Sequence, residues 1–291
     1  MSSQAQAPPI DLVLDEYTGA PRRGFRLLIG LCWVFVALVA FLAVFGERVA
    51  ADAYGQDLAT GISTPSVSHP LGTDDLGRDV LSRVIVGART AVVGPAVITL
   101  GAGLLGGALG LLAGYRGGWS DNVILRWVDL MFALPGHLVA IVVVGVLGGG
   151  YWLAVAVLIL LSSPSDTRLI RAATLEQRPR PYIEAARVLG LPGRRIAAQH
   201  VLPNLLPLII ASVFLGFAYA LLAMTALSFL GLGVGPGTAD WGRMLAESRR
   251  LIFHNPAAAL APGAMIVVTA ASMNLVGDWL AERLSDRGRA Q

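Results

Sequence analysis

Long uncharged segments separated by short charged stretches make up most of this chain. Residues 27–46 contain twenty residues without a charged side chain. As a helix that rises about 1.5 Å per residue, they would cover roughly 30 Å, the thickness of the hydrocarbon core of a bilayer. Longer uncharged segments follow at residues 90–115, 130–165, 201–239 and 251–277. This pattern predicts an all-α polytopic membrane protein.

Residues 130–165 form an uncharged segment that does not fit a single membrane crossing. As one helix they would measure about 54 Å, too long for one crossing and too short for two. The three glycines at 148–150 are the expected break. The third helix should then begin near Val123 and the fourth should end near Ile170, which gives six transmembrane helices. Pro135 is expected to kink the third helix, and His137 is interpreted as a packing residue rather than a proton carrier.

The uncharged segment at 90–115 is rich in glycine and alanine. Gly103 and Gly107 lie four residues apart, as do Gly106 and Gly110. Small residues at this spacing favour close approach of a second transmembrane helix.

Residues 47–89, between the first two uncharged segments, contain six acidic side chains. Their last ten residues have an apolar stripe with Arg83 elsewhere around the helix, and such a stripe predicts a helix lying along the outer membrane interface. The stripe consists of Val80, Leu81, Val84, Ile85 and Ala88. His69, Asp74 and Asp75 are interpreted as turn residues, because they lack the spacing of metal ligands. After the fifth span, residues 228–245 are expected to turn at their glycines and carry Trp241 to the membrane interface.

The distribution of arginine predicts the orientation in the membrane. Arg22, Arg23 and Arg26 precede the first span, and most other arginines flank the spans on the same side, so both termini should be cytoplasmic. The expected organisation is a flexible cytoplasmic tail at 1–24, a retained first transmembrane helix at 25–46, an extracytoplasmic loop at 47–89, a five-helix core at 90–281 that contains a cytoplasmic loop at 171–203, and a cytoplasmic tail at 282–291.

The composition excludes several functions for this chain. All 22 cationic side chains are arginine, because the sequence contains no lysine, and a P-loop needs its lysine on the phosphates. Any coupling to ATP must therefore come from a separate subunit. The net charge of +3 offers no nucleic-acid patch, and the single Cys32 cannot form an intrachain disulfide.

A polar and basic stretch, YIEAARVLGLPGRRIAAQHVLP at 182–203, interrupts the apolar pattern. Pro179 and Pro181 are tolerated at a helix start, and Glu184 in the first turn suits the helix dipole. Gly190 ends the helix after about two turns. With Ala185 and Ala186 leaving its backbone approachable, such a helix could dock into a partner's groove or be an ordinary solvated loop helix.

The spacing within this stretch resembles the EAA motif of the permease subunits of ABC importers. The matching residues are Glu184, Ala185, Ala186 and Gly190, followed by Leu202 and Pro203. The resemblance implies that the segment, with Arg187, is the coupling helix that seats in the ATP-hydrolysing subunit. His200 stands where the general pattern has an apolar residue, a departure that resembles the peptide-transporter branch.

A second stretch, HPLGTDDLGRDVLSR at 69–83, resembles the C-type permease subunits of dipeptide and oligopeptide importers. Residues 228–245 and LAPG at 260–263 show the same likeness. Within this stretch, the extracytoplasmic motif of the resemblance consists of Gly72, Thr73, Asp74, Gly77, Arg78 and Asp79.

The resemblance implies a non-catalytic permease subunit in the cytoplasmic (inner) membrane of a bacterium. Its partners would be a second homologous permease, two ATP-binding subunits and an extracytoplasmic peptide-binding protein, with ATP and Mg on the ATPases and no cofactor or metal in this chain. Nickel, glutathione or an opine remain alternative cargoes. An ion-coupled secondary transporter is disfavoured, because the middle of the bilayer is nearly free of charge.

Overall fold

The computed structural model describes residues 23–59 and 61–289, and most of the expected tail at 1–24 lies outside them. The described part is helical and contains no β-strand, only one isolated bridge between Thr73 and Asp79. Its principal helices are α1 (Arg23–Val49), α2 (Val80–Arg116), α3 (Gly118–Ala133), α4 (Gly136–Val146), α5 (Tyr151–Gln177), α6 (Pro181–Val188), α7 (Gly193–Phe229), α8 (Trp241–Glu247) and α9 (Ala257–Arg289).

Five helices, α1, α2, α5, α7 and α9, are long and apolar enough to cross a membrane, and α3 with α4 forms a sixth, broken span. The two parts of the broken span meet at 84°. The bend lies at Leu134 and Pro135, because proline has no N–H to donate and forces the preceding residue into an extended conformation. The expected kink at Pro135 and the expected break at 148–150 are therefore both confirmed.

Three helices extend further than the uncharged segments predicted. α3 begins at Gly118 rather than near Val123, α5 ends at Gln177 rather than near Ile170, and α7 begins at Gly193. Ion pairs account for the extension of α3 and α5, since Arg171 binds Asp121 through two contacts of 2.5 and 2.6 Å. Loss of apolar character thus marks the edge of the hydrocarbon layer but not the end of a helix.

The separate helix expected along the outer interface is absent from the described residues, because residues 80–89 are the first turns of α2. The helix continues without a break from residues 80–89 into the uncharged segment at 90–115. The apolar side chains Val80, Val84 and Ala88 are buried against α7, α8 and α9 rather than against lipid. The helix predicted from their periodic spacing is confirmed, but the surface that covers these side chains is protein rather than lipid.

Close packing of α2 on α5 organises the middle of the molecule. A Cβ on Gly106 would lie 2.6 Å from the carbonyl oxygen of Ser163, and one on Gly110 would lie 2.7 Å from that of Thr167. The backbones of the two helices therefore meet directly, as the small-residue spacing predicted. Gly103 and Gly107 face away from this contact, and no atom lies within 4 Å of a Cβ built on Gly107.

The buried apolar side chains divide among the two ends and the middle of the helix bundle. At the end that carries α8, α2 packs on α7, α8 and α9. In the middle, α4, α5 and α7 pack together. At the end that carries α6, a third cluster joins α5, α6 and α7, and consists of Ile170, Ile183, Ala186, Ile196, Val201 and Leu205. These ends are called the α8 end and the α6 end below.

Candidate functional sites

The helix α6 forms where the sequence predicted it, over eight residues. Arg180 precedes it in an extended conformation, Pro181 takes a first-turn position where its missing N–H is not needed, and Glu184 lies in the first turn. Gly190 adopts a φ of +74°, and its N–H donates to the carbonyl oxygen of Arg187 at 2.9 Å. This left-handed conformation, which favours glycine, ends the helix and turns the chain toward α7.

Two side chains anchor α6 to the membrane-spanning helices. Ile183 is completely buried and Ala186 is 3% exposed, both in the cluster at the α6 end. The expectation that both alanines leave the helix surface approachable is therefore wrong for Ala186, which faces inward, whereas Ala185 is exposed. Burial follows from the three-residue spacing of Ile183 and Ala186, which places them on one face.

The opposite face of α6 is solvent-exposed and combines charge with apolar surface. This face, called the loop face below, consists of Glu184, Ala185, Arg187, Val188 and Leu189. Val188 is 88% exposed and Leu189 is 79% exposed. Two branched apolar side chains held at this exposure on an anchored helix are typical of a protein interaction site.

Hydrogen bonds connect the start of α6 to α5 and α7. The hydroxyl of Tyr182 donates to Gln177 at 2.6 Å, and the amide of Asn204 donates to the backbone carbonyl of His200 at 2.6 Å and to the hydroxyl of Tyr182 at 3.3 Å. Partial burial raises the pKa of Tyr182, so its hydroxyl keeps its proton. The predicted loop-closure residues lie here too: His200 is in a π-helical turn of α7, directly before Leu202 and Pro203.

A cavity of about 780 Å³ lies beside the loop face, between the last turns of α2 and the first turns of α7. Ala108, Leu111 and Leu112 give it an apolar wall, and Arg116, Arg187 and Arg194 supply positive charge. The α6 end is therefore both recessed and basic next to the exposed apolar side chains.

The predicted motif at 72–79 builds a charged cluster at the other end of the molecule. The carboxylate of Asp74 accepts the backbone N–H groups of Leu76 and Arg78, which closes a tight turn, and also accepts Arg78 Nε at 2.7 Å. This confirms Asp74 as a turn residue. Within the described residues no group of three potential metal ligands occurs.

The cluster extends to residues that the sequence patterns did not single out. Glu247, on α8, accepts Arg78 Nη2 at 3.2 Å, Arg83 Nη2 at 3.1 Å and Arg243 Nε at 2.9 Å. Arg83 is only 1% exposed, so the helix face that carries it is buried as well as the apolar stripe. The α8 cluster is defined as Asp74, Arg78, Arg83, Arg243 and Glu247.

The remaining motif residues fix the backbone around this cluster. Asp79 accepts the N–H of Ser82 at 2.8 Å as the N-cap of α2 and contacts His69 at 3.1 Å. Thr73 is completely buried and donates to the carbonyl oxygen of Gly61 at 2.7 Å. Gly72 and Gly77 have positive φ, and a Cβ on Gly77 would collide with the carbonyl oxygen of Asp57. Each of these motif residues therefore helps to hold the backbone of the loop that leads into α2.

Trp241 and Asp240 join the α8 end to α2. Trp241 packs inside the protein rather than against lipid: it is 1% exposed, and its indole N–H donates to the carbonyl oxygen of Val84 at 2.8 Å. A buried indole needs such a partner. Asp240 caps α8 by accepting the N–H of Arg243, and burial raises the pKa of its carboxyl group.

Comparison with known proteins identifies the family of this helix bundle. Residues 106–289 match the family model described as binding-protein-dependent transport system inner membrane component. The chain is 35% identical to the dipeptide transport system permease protein DppC of Alkalihalophilus pseudofirmus, with 99% of this chain and 96% of that protein covered. It is 38% identical to the glutathione transport system permease protein GsiD of Pectobacterium atrosepticum, covering 98% and 97%.

A di/tripeptide transport system permease protein DppC of Pseudomonas aeruginosa is 37% identical over 87% of this chain and 86% of its own length. A chain from a solved inward-facing structure of the MetNI methionine ABC transporter overlaps with 66% of this chain and 93% of its own, at a TM-score of 0.49 and 18% identity. The sequence matches span the broken helix, α6 and the α8 cluster and identify a multi-pass protein of the inner membrane. The chain therefore belongs to the binding-protein-dependent transport system inner membrane components, the permease subunits of ABC importers.

Proposed function

We propose that this permease forms half of a pathway for di- or oligopeptides and couples to separate ATPase subunits through the loop face of α6. A second, homologous permease would form the other half of the pathway. An extracytoplasmic peptide-binding protein would deliver the cargo to the α8 end. Peptide cargo is supported by the relatives named as dipeptide and di/tripeptide permeases.

The observation that carries the coupling role is the division of α6 into two faces. Ile183 and Ala186 pack among the ends of α5 and α7, while Val188 and Leu189 point into solvent. A movement imposed on the loop face would therefore be passed directly to two membrane-spanning helices. Seating Val188 and Leu189 in an apolar groove would remove them from water, which favours docking by about 25 cal/mol per Å² of apolar surface.

In this arrangement ATP and Mg bind to the ATPases, and this chain contributes no catalytic group. Glu184 and Arg187 would give the docked helix one orientation, because opposite charges on a helix face set the register of a charged partner surface. The motif at 72–79 and the α8 cluster would hold the extracytoplasmic end rigid beneath the binding protein. Both termini are then cytoplasmic.

The experiment is charge reversal at Glu184 in the complete complex reconstituted in proteoliposomes. Glu184→Arg should leave membrane insertion intact but uncouple ATP hydrolysis from peptide uptake. Glu282→Arg is the matched control. Glu282 is exposed on α9, so this substitution makes the same charge change away from α6. Normal peptide-driven ATPase activity and uptake with Glu184→Arg would remove the coupling assignment.

Glutathione is a second candidate cargo, since the relative named as a glutathione permease is 38% identical over 98% of this chain. Purification of the complex in mild detergent with its binding protein, followed by mass spectrometry of the small molecule that the binding protein holds, separates the two cargoes. A bound di- or oligopeptide supports the peptide assignment, and bound glutathione replaces it.

A further inference from the structure

A polar cavity of about 240 Å³ lies inside the membrane-spanning part of the chain, between α2, α5 and α7. Its walls include the hydroxyl-bearing residues Thr99, Ser162, Ser165, Ser212 and Tyr219, together with the carboxylate of Asp166. Two of these hydroxyls are already engaged, because Thr99 and Ser212 donate to backbone carbonyls of their own helices. The remaining polar lining residues belong to α5 and α7.

Asp166 has no counter-ion or hydrogen-bond donor among the described residues, in contrast to the carboxylates of Asp121 and Asp129 on α3. Arg168, two residues away, pairs with Asp129 at 2.6 Å on the exposed face of α5. Arg171 pairs with Asp121. Both cations near Asp166 along α5 are therefore committed elsewhere. An ionisable group within a membrane span is costly, and an unpaired one indicates a function.

A second cavity of about 340 Å³ adjoins the first, and the two share the lining residues Leu161, Ser162 and Tyr219. Gly136 and His137, at the bend of the broken span, line its far end. The other residues that line the second cavity are apolar: Leu158, Ala220, Leu222 and Ala223. Together the two spaces form a groove along α5 and α7, acidic at one end, and Tyr219 at its centre is 69% exposed. A small peptide has the matching chemistry: a cationic amino end and side chains of varied polarity.

We propose that Asp166 binds the α-ammonium group of a peptide during its passage, and that Ser162 and Ser165 accept its remaining N–H groups. This inference rests on the peptide cargo proposed above. An ammonium group has three donors and no acceptor, so one carboxylate and two hydroxyl oxygens satisfy it. Charge-assisted hydrogen bonds are stronger than neutral ones, which makes the carboxylate the main contributor. Asp166 is thus a specificity residue for a free amino end.

Uptake by the complete complex in proteoliposomes tests the proposal, with alanyl-alanine and N-acetyl-alanyl-alanine as probes. Asp166→Asn keeps the shape of the side chain and removes its charge, so uptake of alanyl-alanine should fall roughly tenfold to a hundredfold, as loss of a charge-assisted hydrogen bond predicts. Asp166→Glu should retain most uptake. Asp129→Asn is the matched control, because its carboxylate is paired outside the groove, and should transport at the wild-type rate.

Protection of an engineered thiol tests binding without the binding protein. In the purified permease–ATPase complex, Ser212→Cys, which lines the same cavity but is not a proposed ligand, should react with a maleimide. Alanyl-alanine should slow that reaction whereas N-acetyl-alanyl-alanine should not. The natural Cys32 is buried, and the complex without Ser212→Cys reports the background reaction. Adding Asp166→Asn should abolish protection. Equal protection by both peptides, or protection that survives Asp166→Asn, would overturn the proposal.

Two further outcomes separate this inference from the proposed function. If the wild-type complex takes up alanyl-alanine and Asp166→Asn does so equally well, only the role of Asp166 falls. If the wild-type complex takes up no peptide, the proposed function falls first. Loss of the second permease on purification of Asp166→Asn would place the counter-ion of Asp166 in that subunit and would also overturn the binding role.

Discussion

The two ends of this membrane protein use charge in opposite ways. At the α8 end five charged side chains contact one another, and Arg78 and Arg83 are almost completely buried. At the α6 end the charged side chains of the loop face are exposed, and the buried cluster that anchors the helix is apolar. Internally paired charges stabilise the chain that contains them, whereas exposed charges beside apolar surface remain available to another protein.

The largest effect is expected from breaking the α8 cluster at Glu247. Glu247→Gln removes the carboxylate that contacts Arg78, Arg83 and Arg243, and leaves Asp74 as the one anion of the cluster. Loss of one partner of a buried ion pair costs about 3–5 kcal/mol, because a buried charge is left without compensation. Thermal unfolding of the purified protein in detergent, followed by tryptophan fluorescence, measures the cost. Arg168→Met removes an arginine from an exposed pair with Asp129 and should cost about 0–1 kcal/mol. Equal losses in the two variants would contradict the contrast drawn between buried and exposed charge.

An intermediate and more local effect is expected from loosening α6. Ile183→Ser removes its completely buried apolar anchor, at a cost of about 2–5 kcal/mol by analogy with truncation of isoleucine to alanine. Since the anchor lies only at the α6 end, trypsin should cut faster at Arg187, Arg194 and Arg195 while the membrane-spanning helices stay protected. Mass spectrometry of the digest locates the cuts.

The control for this variant is Val188→Ser, which makes a similar apolar-to-polar change on the exposed face of α6. It should leave the tryptic pattern unchanged but reduce the amount of ATPase that copurifies. If Val188→Ser also accelerates tryptic cleavage, then Val188 contributes to folding, and the two-faced description of α6 is wrong.

The smallest effect concerns Asp240 and its dependence on pH. Burial raises the pKa of this carboxyl in the folded state, so the folded protein binds the proton more tightly than the unfolded chain. The stability from protonated Asp240 is therefore present at low pH and is lost as the pH rises above about 3.9, the unfolded value, through the raised pKa.

Asp240→Asn removes this pH dependence and keeps an N-cap for α8, because asparagine caps helices about as well as aspartate. The variant should unfold at a higher temperature than the wild type at pH 8, and the difference should shrink toward pH 4. A difference that grows as the pH falls would show that the charged carboxylate stabilises the folded state.

Sequence patterns located α6 well because its determinants are local. Pro181 at the start, Glu184 in the first turn and Gly190 after the last turn act through their own backbone and through the helix dipole. The break at 148–150 and the kink at Pro135 were predictable for the same reason. Arg83 was not, because its burial depends on Glu247, far away in the sequence.

Trp241 illustrates the same limit. An indole near the end of a membrane span is favoured at the lipid interface, and only the arrival of Val84 from α2 gives it a buried acceptor instead. The nearly uncharged span around Asp166 likewise revealed a carboxylate but not its surroundings. The hydroxyl-lined groove exists only because α2, α5 and α7 bring their polar side chains together.

The amino-acid sequence by itself determined the membrane-spanning helices, their breaks, the position of the two-turn helix between α5 and α7, and the exclusion of a standard P-loop from this chain. These follow from apolar length, from proline and glycine backbone restrictions, and from the absence of lysine. Only the tertiary structure decided which charges are buried in pairs, which are exposed, and that Asp166 lines a cavity without a partner among the described residues. Those properties belong to contacts between distant residues, and no local pattern specifies them.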